Sequence, residues 1–308
     1  MKQQDIGRLL LLAAIWGASF LFMRVATPVF GSLNTAFLRV LFGCLGLLVL
    51  LLVLRVRINF SGKALPAMLL GVINSAVPFV MYCLAAKWLP AGYSAILNAT
   101  TPLMGVLIGG LLFSETFTVR KVLGVLIGLM GIVLLTTTGS LALSHLVLMG
   151  IAACLVATAC YAMAGFLTKK WMGDRGGMDA KLVALGSQIG ATLFMLPVFI
   201  GSVATQPPVQ WNHPGVWLCV LALGLVCTAW AYILFFRLIA DIGPLRTLTV
   251  TFLIPPFGVL WGYLFLGETL SEGFVAGALV IIVAVWLVTG GAKPKAQVTA
   301  FTEGLKRE

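Results

Sequence analysis

What this chain has little of is charge. Asp, Glu, Lys and Arg make up only 9% of its 308 residues, against about a quarter in a typical soluble domain. Its nine acidic residues are scattered, and its two histidines, His145 and His213, lie apart in short connections. A soluble enzyme and an intrinsically disordered chain are both excluded by this composition. Cys44, Cys83, Cys154, Cys160, Cys219 and Cys227 all sit inside apolar stretches, with no CxxC pair among them. They read as small packing residues, which excludes a secreted disulfide scaffold and the usual metal-site spacings. No DxxD, HxxxxD or paired histidine occurs, so a membrane-embedded acyl- or prenyltransferase has no chemistry to use. No catalytic group, metal or cofactor is expected.

What is present in excess is apolar side chain, 61% of residues, with a mean hydropathy of +1.10. Ten membrane helices of about 20 residues would consume roughly 200 residues and leave about ten for each connection. Apolar runs broken by charge, proline and glycine predict ten spans, at 6–26, 33–54, 64–87, 91–113, 119–137, 146–169, 181–203, 215–237, 244–267 and 273–290. Continuous apolar runs suit helices, whereas barrel strands would alternate. Lys2 and Arg8 ahead of the first run resemble the start of a signal peptide. That run continues through Trp16 and Phe22, however, and no small-residue cleavage site follows a short core.

The +11 formal charge acquires its meaning from its distribution. With the N-terminus inside, inner segments hold 17 of the 20 basic residues, Lys87 is outer, and Arg24 and Arg39 fall within spans toward the outer face. This predicts a multi-pass protein of the bacterial inner membrane with both termini cytoplasmic, and no nucleic-acid partner. Snorkelling to lipid headgroups is the favoured role for Arg24 and Arg39, and attraction of a substrate carboxylate at an outer gate is the alternative.

The chain also repeats itself. PLMGVLIGGLLFSET (102–116) aligns without gaps to PPFGVLWGYLFLGET (255–269), with eight of 15 positions identical, where chance would give roughly two. The same offset pairs Gly71 with Gly224 and Gly124 with Gly277, and a slightly shorter one pairs Trp16 with Tyr161 and Arg24 with Lys169. The unit is about five helices, an odd number, so the second copy enters the membrane from the opposite side. The expected fold is all-α, with two inverted five-helix repeats at 1–143 and 144–292 and a cytoplasmic tail at 293–308. Inverted repeats of this kind build carriers that alternate access around a central site.

WGASF (16–20), the two EamA-like halves, and the Pro…Gly…Glu-Thr block closing spans four and nine resemble the drug/metabolite transporter superfamily over about 6–290. Within it the chain is most similar to the YddG-type bacterial exporters of aromatic and other amino acids. The resemblance implies that spans one, three, four, six, eight and nine line the cavity, with five and ten peripheral.

Candidate residues follow from what is costly in lipid. Pro102 and Pro255 stand mid-span at matched positions and remove a backbone hydrogen bond, so a bend or hinge is expected. Gly105/Gly109 and Gly258/Gly262 form GxxxG pairs suited to close helix contact. No Asp or Glu lies near the middle of a span, so facilitated transport is expected in place of proton coupling. Glu115 and Glu268, at helix ends, read as anchors or caps. Without a deep Lys or Arg, phosphate substrates are disfavoured. The remaining midplane set is aromatic and weakly polar: Trp16, Ser19 and Phe20; Asn74, Pro78 and Tyr82 on one helix face; Asn98 and Thr101; Tyr161 and Met163; Trp230 and Tyr232; Thr251 and Phe257. Such walls suit a small zwitterionic or mostly apolar ligand. For any single aromatic, packing is the simpler role, whereas Asn74 and Asn98 carry amides that need partners. The expected function is export of neutral amino acids and related metabolites. The alternatives are drugs or purine-like metabolites, and a structural scaffold. Membrane lipids are the other expected partners, with no obligate protein partner evident.

Overall fold

The computed structural model describes residues 3–138, 141, 144–172, 176–205, 209–242, 247, 249–269 and 271–289. The 293–308 tail and the repeat junction at 142–143 lie outside the described residues, as do Lys2, Arg175, Arg246, Lys293, Lys295, Lys306 and Arg307. Among the described residues the chain is all helical. We number the spans α1 (Gln3–Phe30), α2 (Ser32–Val53), α3 (Ala64–Ala85), α4 (Ala91–Leu112), α5 (Val119–Thr137), α6 (His145–Trp171), α7 (Ala180–Thr205), α8 (214–242), α9 (Val250–Leu266) and α10 (Glu272–Thr289). Nine are long and apolar enough to cross a membrane, and α9 has 17 described residues.

Local chemistry sets the ends. Thr118 and Ser144 accept N-cap hydrogen bonds from Lys121 and Val147 at 3.3 Å, each satisfying an amide the helix cannot. Gly267, with φ +64°, closes α9 in the left-handed conformation glycine tolerates. Large apolar side chains such as Leu111, Met130, Leu218 and Phe265 are exposed on the outside, while Arg39, Ser75, Thr228 and Gln188 are buried within. This reversal of the soluble pattern identifies lipid as the solvent.

Three spans depart from regular α-helix. In α3 the turn Val72–Ala76 is a π-helix. Pro78 cannot donate to the carbonyl of Asn74, and the Val77 amide reaches back to Val72, so the wider turn absorbs the missing bond. In α8, Ala222–Trp230 is π-helical, and the Thr228 hydroxyl donates to the Leu223 carbonyl five residues earlier at 2.9 Å. Adding the repeat offset of 153 carries the α3 segment to 225–229, inside the α8 one. In α4 the chain breaks at Ala99–Thr100 and restarts at Thr101. Pro102 is therefore at the first turn of a new helix, where proline is unstrained, and not at a mid-helix kink. The carbonyl of Asn98, which Pro102 cannot serve, receives the Thr101 hydroxyl at 2.7 Å. Its repeat partner Pro255 sits inside an unbroken helix.

The packing follows a pseudo-twofold. Replacing each helix by the one five places on leaves the extensive pairings unchanged: α5–α10, α2–α7 and α4–α9 map onto themselves, while α1–α9 exchanges with α4–α6, α2–α8 with α3–α7, and α3–α6 with α1–α8. All of these join one repeat to the other.

Glycine permits the closest approaches. A Cβ on Gly71 would strike the Ser187 carbonyl, and one on Gly190 the Met68 carbonyl. One on Gly224, the partner of Gly71, would lie 3.0 Å from the Gly43 nitrogen. Gly124 and Gly277 do the same between α5 and α10. Of the GxxxG pairs, Gly258 packs on Ala95, Gly109 on Phe166 and Gly262 against Glu268, but Gly105 faces open space, so the expected close contact at Gly105 is absent.

Candidate functional site

Where the repeats meet, two matched hydrogen bonds cross the centre. Arg39 of α2 donates from Nε to the Thr228 hydroxyl of α8 at 3.5 Å, and Gln188 of α7 donates from Nε2 to the Ser75 hydroxyl of α3 at 3.0 Å. Ser75 plus the repeat offset is Thr228, so the two acceptors are repeat mates, and the donors come from the matched helices α2 and α7, with arginine in one half and glutamine in the other, although Arg39 and Gln188 stand 149 and not 153 residues apart. The offset of 153 relates Phe79, which lies under the Arg39 guanidinium at 3.7 Å, to Tyr232. The Gln188 Oε1 and the Thr27 and Thr35 hydroxyls are enclosed without hydrogen-bond partners among the described residues.

Beside this centre stands an aromatic wall. The Tyr82 ring is 5.4 Å from Phe20, edge-on, and 6.2 Å from Tyr161, nearly parallel. Its hydroxyl donates to Asn98 Oδ1 at 2.8 Å, leaving the Asn98 Nδ2 donors for other work. Tyr161 and Tyr232 are half-buried. The break in α4 positions Asn98, and the wide turn in α3 positions Ser75.

The expected site residues divide accordingly. Phe20, Pro78, Tyr82, Asn98, Tyr161 and Tyr232 are brought to or beside the centre, with Pro78 acting through the π turn. Thr101 is spent on the Asn98 carbonyl, and the Ser19 hydroxyl on the Trp16 carbonyl at 2.6 Å. Trp16 packs on Phe235 at 5.4 Å, while Phe257 stacks on Trp261 at 6.2 Å in the α1–α9 seam. Thr251 and Met163 are half-buried. Asn74 is half-buried too, and its amide finds no partner among the described residues; the π turn shifts the register, so Ser75 takes the inward position. Trp230 is 46% exposed and faces outward beside Leu45, Gly46 and Val49, so it leaves the candidate set.

Two charged residues also stand elsewhere than expected. Arg24 donates to the Ala86 carbonyl just past the end of α3, a cation at a helix C-terminus instead of a lipid anchor. Arg39 does not snorkel. It is 6% exposed, its Nη1 contacts the Met23 sulfur at 3.4 Å, and its guanidinium lies over the Phe79 ring. A deep cation is therefore present, and anionic substrates are not excluded by its absence. Sequence reasoning missed Ser75, Phe79, Gln188 and Thr228, and with them the contribution of α2 and α7. The offset of 153 carried the signal, since it superposes Ser75 on Thr228. Glu268 accepts from the Ala91 amide at 2.9 Å and the Gly92 amide at 3.4 Å, capping α4 from the end of α9, while Glu115 is exposed.

An inverted duplication meeting at an aromatic and polar centre is the architecture of a multi-pass membrane transporter. The EamA-like transporter family matches residues 6–137 and again 148–290, and the chain belongs to that family, within the drug/metabolite transporter superfamily. An uncharacterized transporter of Bacillus subtilis, YvbV, is 28% identical over 97% of each chain. A probable amino-acid metabolite efflux pump of Salmonella typhimurium is 23% identical over 93% of this chain and 95% of its own. One solved crystal structure shares the fold, with a TM-score of 0.65 over 95% of this chain and 98% of that one at 18% identity.

Proposed function

We propose that this transporter exports amino acids, aromatic and other neutral ones as in the YddG-type exporters, together with related small metabolites, across the bacterial inner membrane. The two repeats, 1–143 and 144–292, close alternately on either side of the centre. The observation that carries the reading is the stacked Tyr82–Tyr161 pair beside the free donors of Asn98, at the junction of both repeats. A planar side chain stacks on such a wall, and a small polar head takes the amide. The similarity to a probable amino-acid metabolite efflux pump supports the same class.

Both termini are cytoplasmic in this reading. Among the described residues, Arg8, Arg55, Arg57, Lys63, Lys169, Lys170 and Arg237 lie at the helix ends that a cytoplasmic N-terminus places inside, and Lys87 at the opposite ends. Transport is facilitated, because no carboxylate lies mid-span to carry a proton. The test is counterflow in proteoliposomes with labelled amino acids, drugs and purines. Saturable exchange of amino acids at a rate indifferent to an imposed proton gradient is expected. Exchange of drugs or purines alone would move the substrate elsewhere in the superfamily, and strict dependence on the gradient would sink the facilitated mechanism.

A further inference from the structure

Arg39 is the most unusual charge in the molecule. It is the eighth residue of α2, so its Cα lies about 10 Å below the helix start at 1.5 Å per residue. It is 94% buried by the complement of its 6% exposure, and no carboxylate stands within ion-pair distance of it among the described residues. The protein offers it only weak neutral partners: the Thr228 hydroxyl at 3.5 Å, the Met23 sulfur at 3.4 Å and the Phe79 face at 3.7 Å. Among the described residues no hydrogen bond reaches Nη2, and that nitrogen is not one of the fully enclosed unpartnered atoms.

A structural arginine at this depth would be paired with a carboxylate, because an uncompensated buried charge is costly to the fold. A guanidinium fork with one edge free is instead a receptor for a planar oxyanion, which it binds through two parallel hydrogen bonds. A single cation balances a single negative charge, which favours a monoanion over a phosphate dianion. The aromatic wall of Tyr82 and Tyr161, with rings 6.2 Å apart, offers π faces to an apolar or ammonium-bearing remainder.

We infer that the Arg39 guanidinium is the anion-binding group of the central site, and that the solute carries a carboxylate which docks there. This rests on the transport reading and narrows it: decarboxylated amines, amides and uncharged drugs are poor ligands, whereas carboxylates lacking an amine still bind. The Gln188–Ser75 pair marks the equivalent place in the second repeat and holds only the neutral half of the solute.

The test compares L-phenylalanine, 3-phenylpropionate and L-phenylalaninamide on the purified full-length protein, by thermal-shift titration and by counterflow in proteoliposomes. The wild-type protein is expected to bind both carboxylates and to discriminate against the amide by about ten- to hundredfold, the range lost with one charge-assisted hydrogen-bonded contact. Arg39→Gln should abolish that discrimination while eluting as a monodisperse species of unchanged melting temperature, and Arg39→Lys should retain part of it. Equal binding of phenylalanine and its amide by the wild-type protein would overturn the assignment of Arg39 and leave amino-acid export standing. Normal carboxylate binding by Arg39→Gln would do the same. If neither carboxylate is bound, both inferences fall. The wild-type comparison needs no variant, so a poorly folding Arg39→Gln does not remove the test.

Discussion

The hydrogen bond from Tyr82 to Asn98 tests whether the aromatic wall is a binding surface or only packing. Tyr82 is 2% exposed and Asn98 half-buried. Tyr82→Phe deletes one hydroxyl and leaves the ring contacts with Phe20 and Tyr161 in place. The net loss of a neutral hydrogen bond whose acceptor keeps some access to open space is about 1 kcal/mol. Asn98→Ala removes the acceptor and the free Nδ2 donors, with a comparable cost to folding. If those donors serve only the fold, the two single changes and the double change lower transport in proportion to folded yield. If they hold the solute, Asn98→Ala should lower transport per folded molecule by about tenfold, equivalent to 1.4 kcal/mol. Tyr82→Phe should lower it less, and a double-mutant cycle on stability should return a coupling of about 1 kcal/mol. The assay is initial-rate counterflow normalised to monodisperse protein, beside thermal melting of the same preparations. Wild-type specific rates in both variants would refute the placement of the site.

Further predictions follow from the packing. Gly71→Ala and Gly190→Ala each drive a methyl into a facing backbone carbonyl and should destabilise by about 1–3 kcal/mol, whereas Gly105→Ala, which meets nothing within 4 Å, should leave melting unchanged. Glu268→Ala strips the cap from the Ala91 and Gly92 amides and should cost about 1 kcal/mol in melting without changing how transport responds to a proton gradient. Pro102→Ala should leave turnover near wild type, because the break in α4 precedes it and Thr101 already serves the Asn98 carbonyl. A large slowing on rapid-mixing counterflow would show that the break depends on the proline. Expressed as two separate chains, the halves should transport only when made together, and saturable activity from one half alone would contradict the pairing pattern.

Legibility followed the physics of each signal. Ten spans could be read because a lipid-crossing helix needs a long apolar run, and such runs stand out against charge, proline and glycine. The duplication was legible at 102–116 and 255–269 because glycine and proline there answer to backbone geometry. Aromatic pairing was only half legible: Tyr82 and Tyr161 meet, but Trp230 turns to lipid, and an aromatic has the same one-letter appearance on either side of a membrane helix. Arg39 misled because nearness to a span end was taken for nearness to lipid, when the neighbours across the bundle decide the matter. Ser75 was overlooked because ideal helical spacing favours Asn74, and only a five-residue turn exchanges the two.

The cross-repeat pairing also has a consequence during synthesis. The largest helix–helix seams join the first half to the second, while inside the first half α2 packs on α3 and α1 more lightly on α2, α3 and α4, so five inserted helices hold one another through a minority of their final contacts until the ribosome delivers the rest. In that interval the backbone notches at Gly71 and Gly124 and the polar edge at Arg39 and Ser75 face lipid or the insertion machinery. The nascent first half is thus a window of vulnerability to quality-control proteases, and its length is set by the time needed to translate α6 through α10.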